Sequence, residues 1–235
     1  MKYRLILFMT LGFMLSSCAS LKNALPIPTD IESVLALKEV LNSSAFKAIN
    51  TLNNMRKGTD GLPKELEPVL AAMTTLGYGD KVDQVKKSIV DASNIVAEES
   101  EVIMKQAIND LKFKDAAKII VTGGDAATGF LKQSMYKTIT ARYSDRLDEQ
   151  LNKTEVKQYW PLAAGAYNIF AKEKVDGELS EFLARRAVDA LFLTTGAKEK
   201  DTRAAYKEMG SKVVTKVFDY YKDKKLNSKG KIVKG

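Results

Sequence analysis

From Asp30 onward the apolar side chains return every three or four residues, and no stretch sustains the two-residue alternation of a half-buried strand. Thr29-Asp30-Ile31-Glu32 forms a capping box and opens a helix carrying Ile31, Val34, Leu35, Leu41, Ala45, Ile49 and Leu52 toward a stop near Lys57-Gly58. Pro63, tolerated in a first turn, starts a second helix through Leu66, Val69, Leu70 and Met73 to Gly77. Asp80 is placed to cap the next. Val82, Val85, Ile89, Ala92, Val96, Ile103, Ala107 and Leu111 then mark a long amphipathic helix of about 30 residues, the expected central element. Asp115 caps a short helix ending at Thr122-Gly123-Gly124. Thr122 or Asp125 starts another through Phe130, Leu131, Tyr136, Ile139 and Tyr143 toward Leu151. Thr154 opens a helix that Trp160-Pro161 should kink or break, because proline lacks the backbone donor. After Gly177, Leu179 to Ala197 is helical, and Tyr206, Met209, Val213, Val217 and Phe218 line a last helix. The expectation is an all-α fold: a single multi-helix bundle over 30–221 with one long central helix and no internal repeat.

The two ends follow different rules. Residues 1–17 have a basic start (Lys2, Arg4), an apolar run from Leu5 to Leu15 and small residues after it, the layout of a cleaved signal peptide too short to remain as a membrane span. Leu15-Ser16-Ser17-Cys18 resembles the bacterial lipobox, which makes Cys18 the expected lipidation residue, its thiol being the nucleophile that takes the lipid. Residues 18–29, with Pro26 and Pro28, read as a lipidated N-terminus and extended spacer. Ala19 and Ser20 lack the acidic residue that holds enterobacterial lipoproteins at the inner membrane. In a Gram-negative host the expected address is the periplasmic face of the outer membrane, with the N-terminal lipid as the membrane contact. Residues 222–235, rich in lysine, read as a basic flexible tail that either is simply solvated or leans on anionic head groups.

The formal charge of +8 narrows less than it suggests. Lys2 and Arg4 leave with the signal peptide, and the last fourteen residues hold six lysines against one aspartate, so the body is close to neutral. That is no footprint for nucleic acid. The chain has no histidine, and its one cysteine is assigned to lipid. Imidazole bases, disulfides and Cys/His zinc sites are excluded, and no Asp-x-Asp-x-Asp-Gly calcium loop occurs. No cofactor and no metal are expected.

Asn94-Ile95-Val96-Ala97-Glu98, Asp115-Ala116, the run Gly123 to Phe130, Glu199-Lys200-Asp201-Thr202-Arg203 and Lys216-Val217-Phe218 occur in an order and spacing that resembles the bacterial lipoprotein family catalogued as domain of unknown function 4197. The chain departs from that pattern at Ala204-Ala205-Tyr206, where the family has a proline shortly after its arginine. The resemblance implies a helical periplasmic domain and no known activity. Candidate binding residues are Asn94, Glu98, Asp115, Asp125, Thr128 and Arg203. Asn94 and Glu98 lie one turn apart, nearly opposite the apolar stripe, which suits either a solvated face or a contact with a second helix or ligand. Thr122 to Thr128 fits a helix-capping turn better than an anion nest, since Asp125 repels phosphate. Glu199 and Arg203, four apart, fit a salt bridge along one helix, with a buried arginine as the other reading. Tyr159, Trp160 and Tyr167 belong either to the core or to an aromatic-lined pocket. Two functions stay open: a non-enzymatic binder of an envelope protein or apolar ligand, and a carboxylate-dependent hydrolase of envelope polymers using Glu98 or Asp115.

Overall fold

The computed structural model describes residues 25–57 and 62–235, so the signal peptide, Cys18 and most of the spacer lie outside the described residues. Eight α-helices follow in chain order among them: α1 (Asp30–Lys57), α2 (Glu67–Thr75), α3 (Val82–Asp110), α4 (Ala116–Thr122), α5 (Ala126–Leu151), α6 (Val156–Phe170), α7 (Leu179–Ala204) and α8 (Lys212–Tyr221). The fold is all-α, apart from a closing hairpin of β1 (Lys224–Leu226) and β2 (Ile232–Lys234).

Local side-chain caps set three of the eight helix starts, those of α1, α4 and α8. The capping box of α1 is reciprocal: Thr29 N–H donates to Glu32 Oε2 at 2.8 Å, and Glu32 N–H donates to Thr29 Oγ1 at 3.2 Å. Asp115 caps α4 through Lys118 N–H at 3.0 Å. Asp80 does not cap α3 as its position suggested. It sits inside a 3-10 turn, Gly79–Lys81, which feeds the helix through Lys81 N–H to Tyr78 C=O at 3.0 Å, so no side-chain cap is used.

The helix expected to be central is present as α3, 29 residues long, and it shares the centre with three near-equals, α1 at 28 and α5 and α7 at 26 each. These four form a ring in the order α1, α3, α5, α7, closed by the α7–α1 contact. Neighbours run antiparallel. Lys38 of α1 reaches Asn109 C=O of α3 while Arg56 reaches Ser93 C=O; Arg142 of α5 reaches Gln106 of α3 while Arg146 reaches Glu99. The result is an up-down-up-down bundle, its core filled by side chains such as Leu37, Leu41, Met104, Ile108, Leu131 and Ile139. On its flanks α2 packs with α6, while α4 and α8 lie over α1. No helix among the described residues is long and apolar enough to cross a membrane.

Three further expectations are corrected. Pro161 does not break its helix: α6 runs continuously through it. Tyr159, Trp160, Ala163 and Ala164 are all buried around it, and Trp160 Nε1–H donates to Asp176 C=O at 3.1 Å. That packing offsets the loss of one backbone bond. The basic tail also carries regular structure, because Lys224, Lys225 and Leu226 pair with Lys234, Val233 and Ile232. Asn227 Oδ1 accepts from Lys229 N–H at 3.0 Å and Lys231 N–H at 2.9 Å, so an asparagine turn closes a hairpin where the lysine content suggested only a solvated tail. The run Ala204-Ala205-Tyr206 needs no proline: α7 ends at Ala204, a 3-10 turn spans Tyr206–Met209, and Tyr206 and Met209 therefore lie before α8 rather than in it.

Trp160 is the largest side chain in the fully buried set and ties α6 to the connection before α7. Trp160→Ala is expected to cost about 3–5 kcal/mol in urea unfolding, with Trp160→Phe costing clearly less.

Candidate functional site

The bundle has one tightly locked end and one hollow end. At the first, Gly123 and Gly124 turn the chain sharply between α4 and α5 with φ of +73° and +58°, values an L-side chain rarely adopts. This corner lies close against α7. A Cβ at Gly196 would sit 3.3 Å from the Asp125 side chain, so glycine sets the approach. Asp125 occupies the N-cap position of α5 yet makes no capping bond, and pairs instead with Lys200 at 3.3 Å. The Lys200 ammonium, followed by the backbone N–H contact, holds the Asp125 carboxyl below its ordinary range.

The cap is supplied by α7. Glu199, fully buried, accepts from Ala127 N–H at 3.1 Å and Thr128 N–H at 2.6 Å. Its other partner is Arg203, whose Nε–H donates at 2.7 Å and whose side chain is only 8% exposed. Arg203 then donates through Nη1 to Ile120 C=O at 3.2 Å, near the end of α4, and lies 5.5 Å over the Phe218 ring. One ion pair thus places a negative charge at a helix N-terminus and a positive charge at a helix C-terminus, each favoured by the local dipole. Of the sequence candidates, this lock gathers Asp125, Thr128 and Arg203. Their surroundings are structural partners: Glu199 and Arg203 form the expected salt bridge along α7, and the arginine is also buried. Glu199, seen from sequence only as the arginine's helical neighbour, is the central group.

The hollow end holds a cavity of about 560 Å³. All four bundle helices line it: Ile49 and Leu52 from α1, Ser93, Val96 and Ala97 from α3, Tyr143 and Leu147 from α5, Leu183, Ala187 and Ala190 from α7. Leu62 and Pro63 border it from the connection that follows α1. Small residues face one another at 93, 97, 187 and 190, so the helices leave space that larger side chains would fill. The walls are mainly apolar, which matches ligand sites built between bundle helices in both size and character. Arg56 and Arg186 are the charged side chains in the described lining. Arg56 donates to Ser93 C=O and to Asn53 Oδ1, both at 2.9 Å. Burial pushes the Arg56 guanidinium below its ordinary pKa, while the charge of Glu98 acts the other way. Tyr143 is itself buried, and desolvation pushes its phenol up to about 12, so it stays neutral at physiological pH.

The remaining candidates scatter. Asn94 and Glu98 are exposed on α3, beside rather than in the cavity, with Glu98 within electrostatic reach of Arg56. Asp115 is committed to the α4 cap. Glu98 stands twelve residues before the end of α3, about 18 Å along the axis, and neither it nor Asp115 lines the cavity. The two carboxylates do not share a cleft. Tyr159 and Trp160 are core residues, outside the cavity lining.

Fold and cavity define an all-α, up-down-up-down bundle closed by a buried ion pair at one end and open inside at the other. The chain belongs to the family described as Protein of unknown function (DUF4197), whose model matches residues 28–219. No curated protein and no solved structure matches it.

Removing one member of the lock leaves the other charge buried. Glu199→Ala or Arg203→Ala is expected to cost about 3–5 kcal/mol and to lower the melting temperature by on the order of 10 °C, with the double variant losing less than the sum. At high pH the buried phenol of Tyr143 supplies a separate signature. Its folded pKa of about 12 lies above the unfolded value of roughly 10, so its contribution is fully present below pH ~10 and is lost as pH rises through the folded value. Urea unfolding followed from neutral to alkaline pH should show that decline, and Tyr143→Phe should reduce it.

Proposed function

We propose that this chain is a lipid-anchored envelope lipoprotein whose helical domain binds an apolar ligand without turning it over. The observation that carries the binding reading is the 560 Å³ cavity, formed jointly by all four bundle helices and lined mainly by apolar and small side chains. The small side chains along the opening leave apolar walls facing solvent, and covering such surface with an apolar occupant is favourable. The lipobox-like Leu15-Ser16-Ser17-Cys18 supports the anchor, with the outer membrane's periplasmic face as the address in a Gram-negative host. The separation of Glu98 from Asp115 gives the hydrolase alternative no geometric support.

One purification tests both halves. Mass spectrometry of the natively purified protein should find acylated Cys18 at the N-terminus, lost in Cys18→Ala, and organic extraction should release an apolar small molecule. Ala97→Trp, which fills the cavity from α3, should carry on the order of tenfold less of that molecule while its circular dichroism stays helical. Identical extracts from wild type and Ala97→Trp would sink the binding half, and an unmodified Cys18 in the wild type would sink the anchor.

A further inference from the structure

The ends of the bundle differ in surface chemistry as well as in packing. The start of α1, the end of α3, α4, α8 and the hairpin all belong to the locked end. Lys216 of α8 pairs with Glu32 at 2.6 Å, Tyr221 is within electrostatic reach of Asp30 and Asp115, and Gly230 of the hairpin lies against Lys118 of α4. Exposed there are Lys222, Lys225, Lys229, Lys231 and Lys234 of the hairpin segment, with Lys112 and Lys114 from the connection before α4. The acidic groups nearby are mostly engaged. Glu32 is in its capping box and on Lys216, Asp115 caps α4, and Asp219 accepts from Tyr206 at 2.7 Å with Lys207 and Lys222 each 3.7 Å away. Asp30, Asp110, Glu208 and Asp223 remain exposed, with Asp110 3.8 Å from Arg142, so the seven exposed lysines leave the pole basic.

Large apolar side chains stand out on the same pole. Ile27 is 74% exposed and Ile31 73%, with Leu25 half exposed beside them. The core does not use them: Ser33, Ala36, Leu37 and Val40 form the inward face of α1. Bare isoleucines next to a lysine cluster form a surface that suits lipid head groups, where the apolar tips enter the acyl boundary and the ammonium groups meet anionic lipid. The tether points the same way. Only seven residue steps separate Cys18 from Leu25, at most about 25 Å of extended chain, so a lipid on Cys18 keeps this pole close to the bilayer.

We propose that the locked pole is a docking surface for an anionic lipid bilayer, with Leu25, Ile27 and Ile31 in the head-group region, the hairpin lysines over acidic lipid, and the cavity-bearing end directed away from the membrane. The orientation rests on the lipid anchor at Cys18, and the test separates the two. The full lipidated protein is reconstituted into phosphatidylcholine vesicles with and without phosphatidylglycerol, and amide hydrogen exchange is compared. Exchange over 25–35 and 222–235 should slow by on the order of tenfold with the anionic lipid, the protection falling away in high salt and in Lys225→Glu/Lys231→Glu. Ile27→Ser/Ile31→Ser should weaken protection over 25–35. A protein that incorporates into vesicles yet shows no lipid-dependent protection there overturns the docking surface while leaving the anchor intact. Protection instead at Leu162, Ile169 and Phe170, exposed on α6, overturns the orientation. A wild-type protein that fails to incorporate at all overturns the anchor, and the docking orientation with it.

Discussion

Glu199 is a carboxylate shut away from water, and four segments are arranged around satisfying it. Burying an ionised carboxyl costs several kcal/mol unless its oxygens are fully engaged. Here the compensation comes from two amides at the start of α5 and from Arg203, which is in turn held by the end of α4 and the face of Phe218 on α8. If the double-glycine corner shifts, the carboxylate loses its amides. If α8 withdraws, the arginine loses its stacking surface. The pair therefore ties α4, α5, α7 and α8 into one arrangement, and Gly196 lets the corner come close enough for the bond to form.

Such a lock changes what the rest of the bundle must do. With one end over-determined by charge, helix ends and close packing, the other end can carry unfilled volume without losing register. Ser93, Ala97, Ala187 and Ala190 are small and half-buried or exposed, so the hollow they border opens to solvent. The two ends also differ in surface: exposed lysines and bare isoleucines at the locked end, an apolar-walled hollow at the other.

The family motifs take on different meanings in this light. The run from Gly123 to Phe130 and the stretch Glu199 to Arg203 look, in one dimension, like a loop and a helical salt bridge. In three dimensions they are the halves of a single cap joining residues 71 and 72 positions apart. Asn94 to Glu98 lies along the edge of the cavity, where Ser93, Val96 and Ala97 face inward and Asn94 and Glu98 outward. The spacing of Asn94 and Glu98 marks the outward face of α3, and the hollow lies against the other.

The helical class, most helix boundaries, the capping box at Thr29 to Glu32 and the Asp115 cap were determined by sequence alone, because each depends on residues within a turn or two of one another. The same local reasoning does not yield the unbroken helix at Pro161, where burial around Trp160 outweighs one missing hydrogen bond, or the hairpin, where an asparagine turn outweighs lysine content. Only the tertiary structure decided that Glu199 caps α5 in place of Asp125, that α3 is one of four equals, and that a cavity lies among them. Those facts depend on distances between side chains far apart in the chain, and a cavity is made by atoms that are missing from several helices at once. Periodicity marks the face a helix buries; it does not register how completely its partners fill the space against that face.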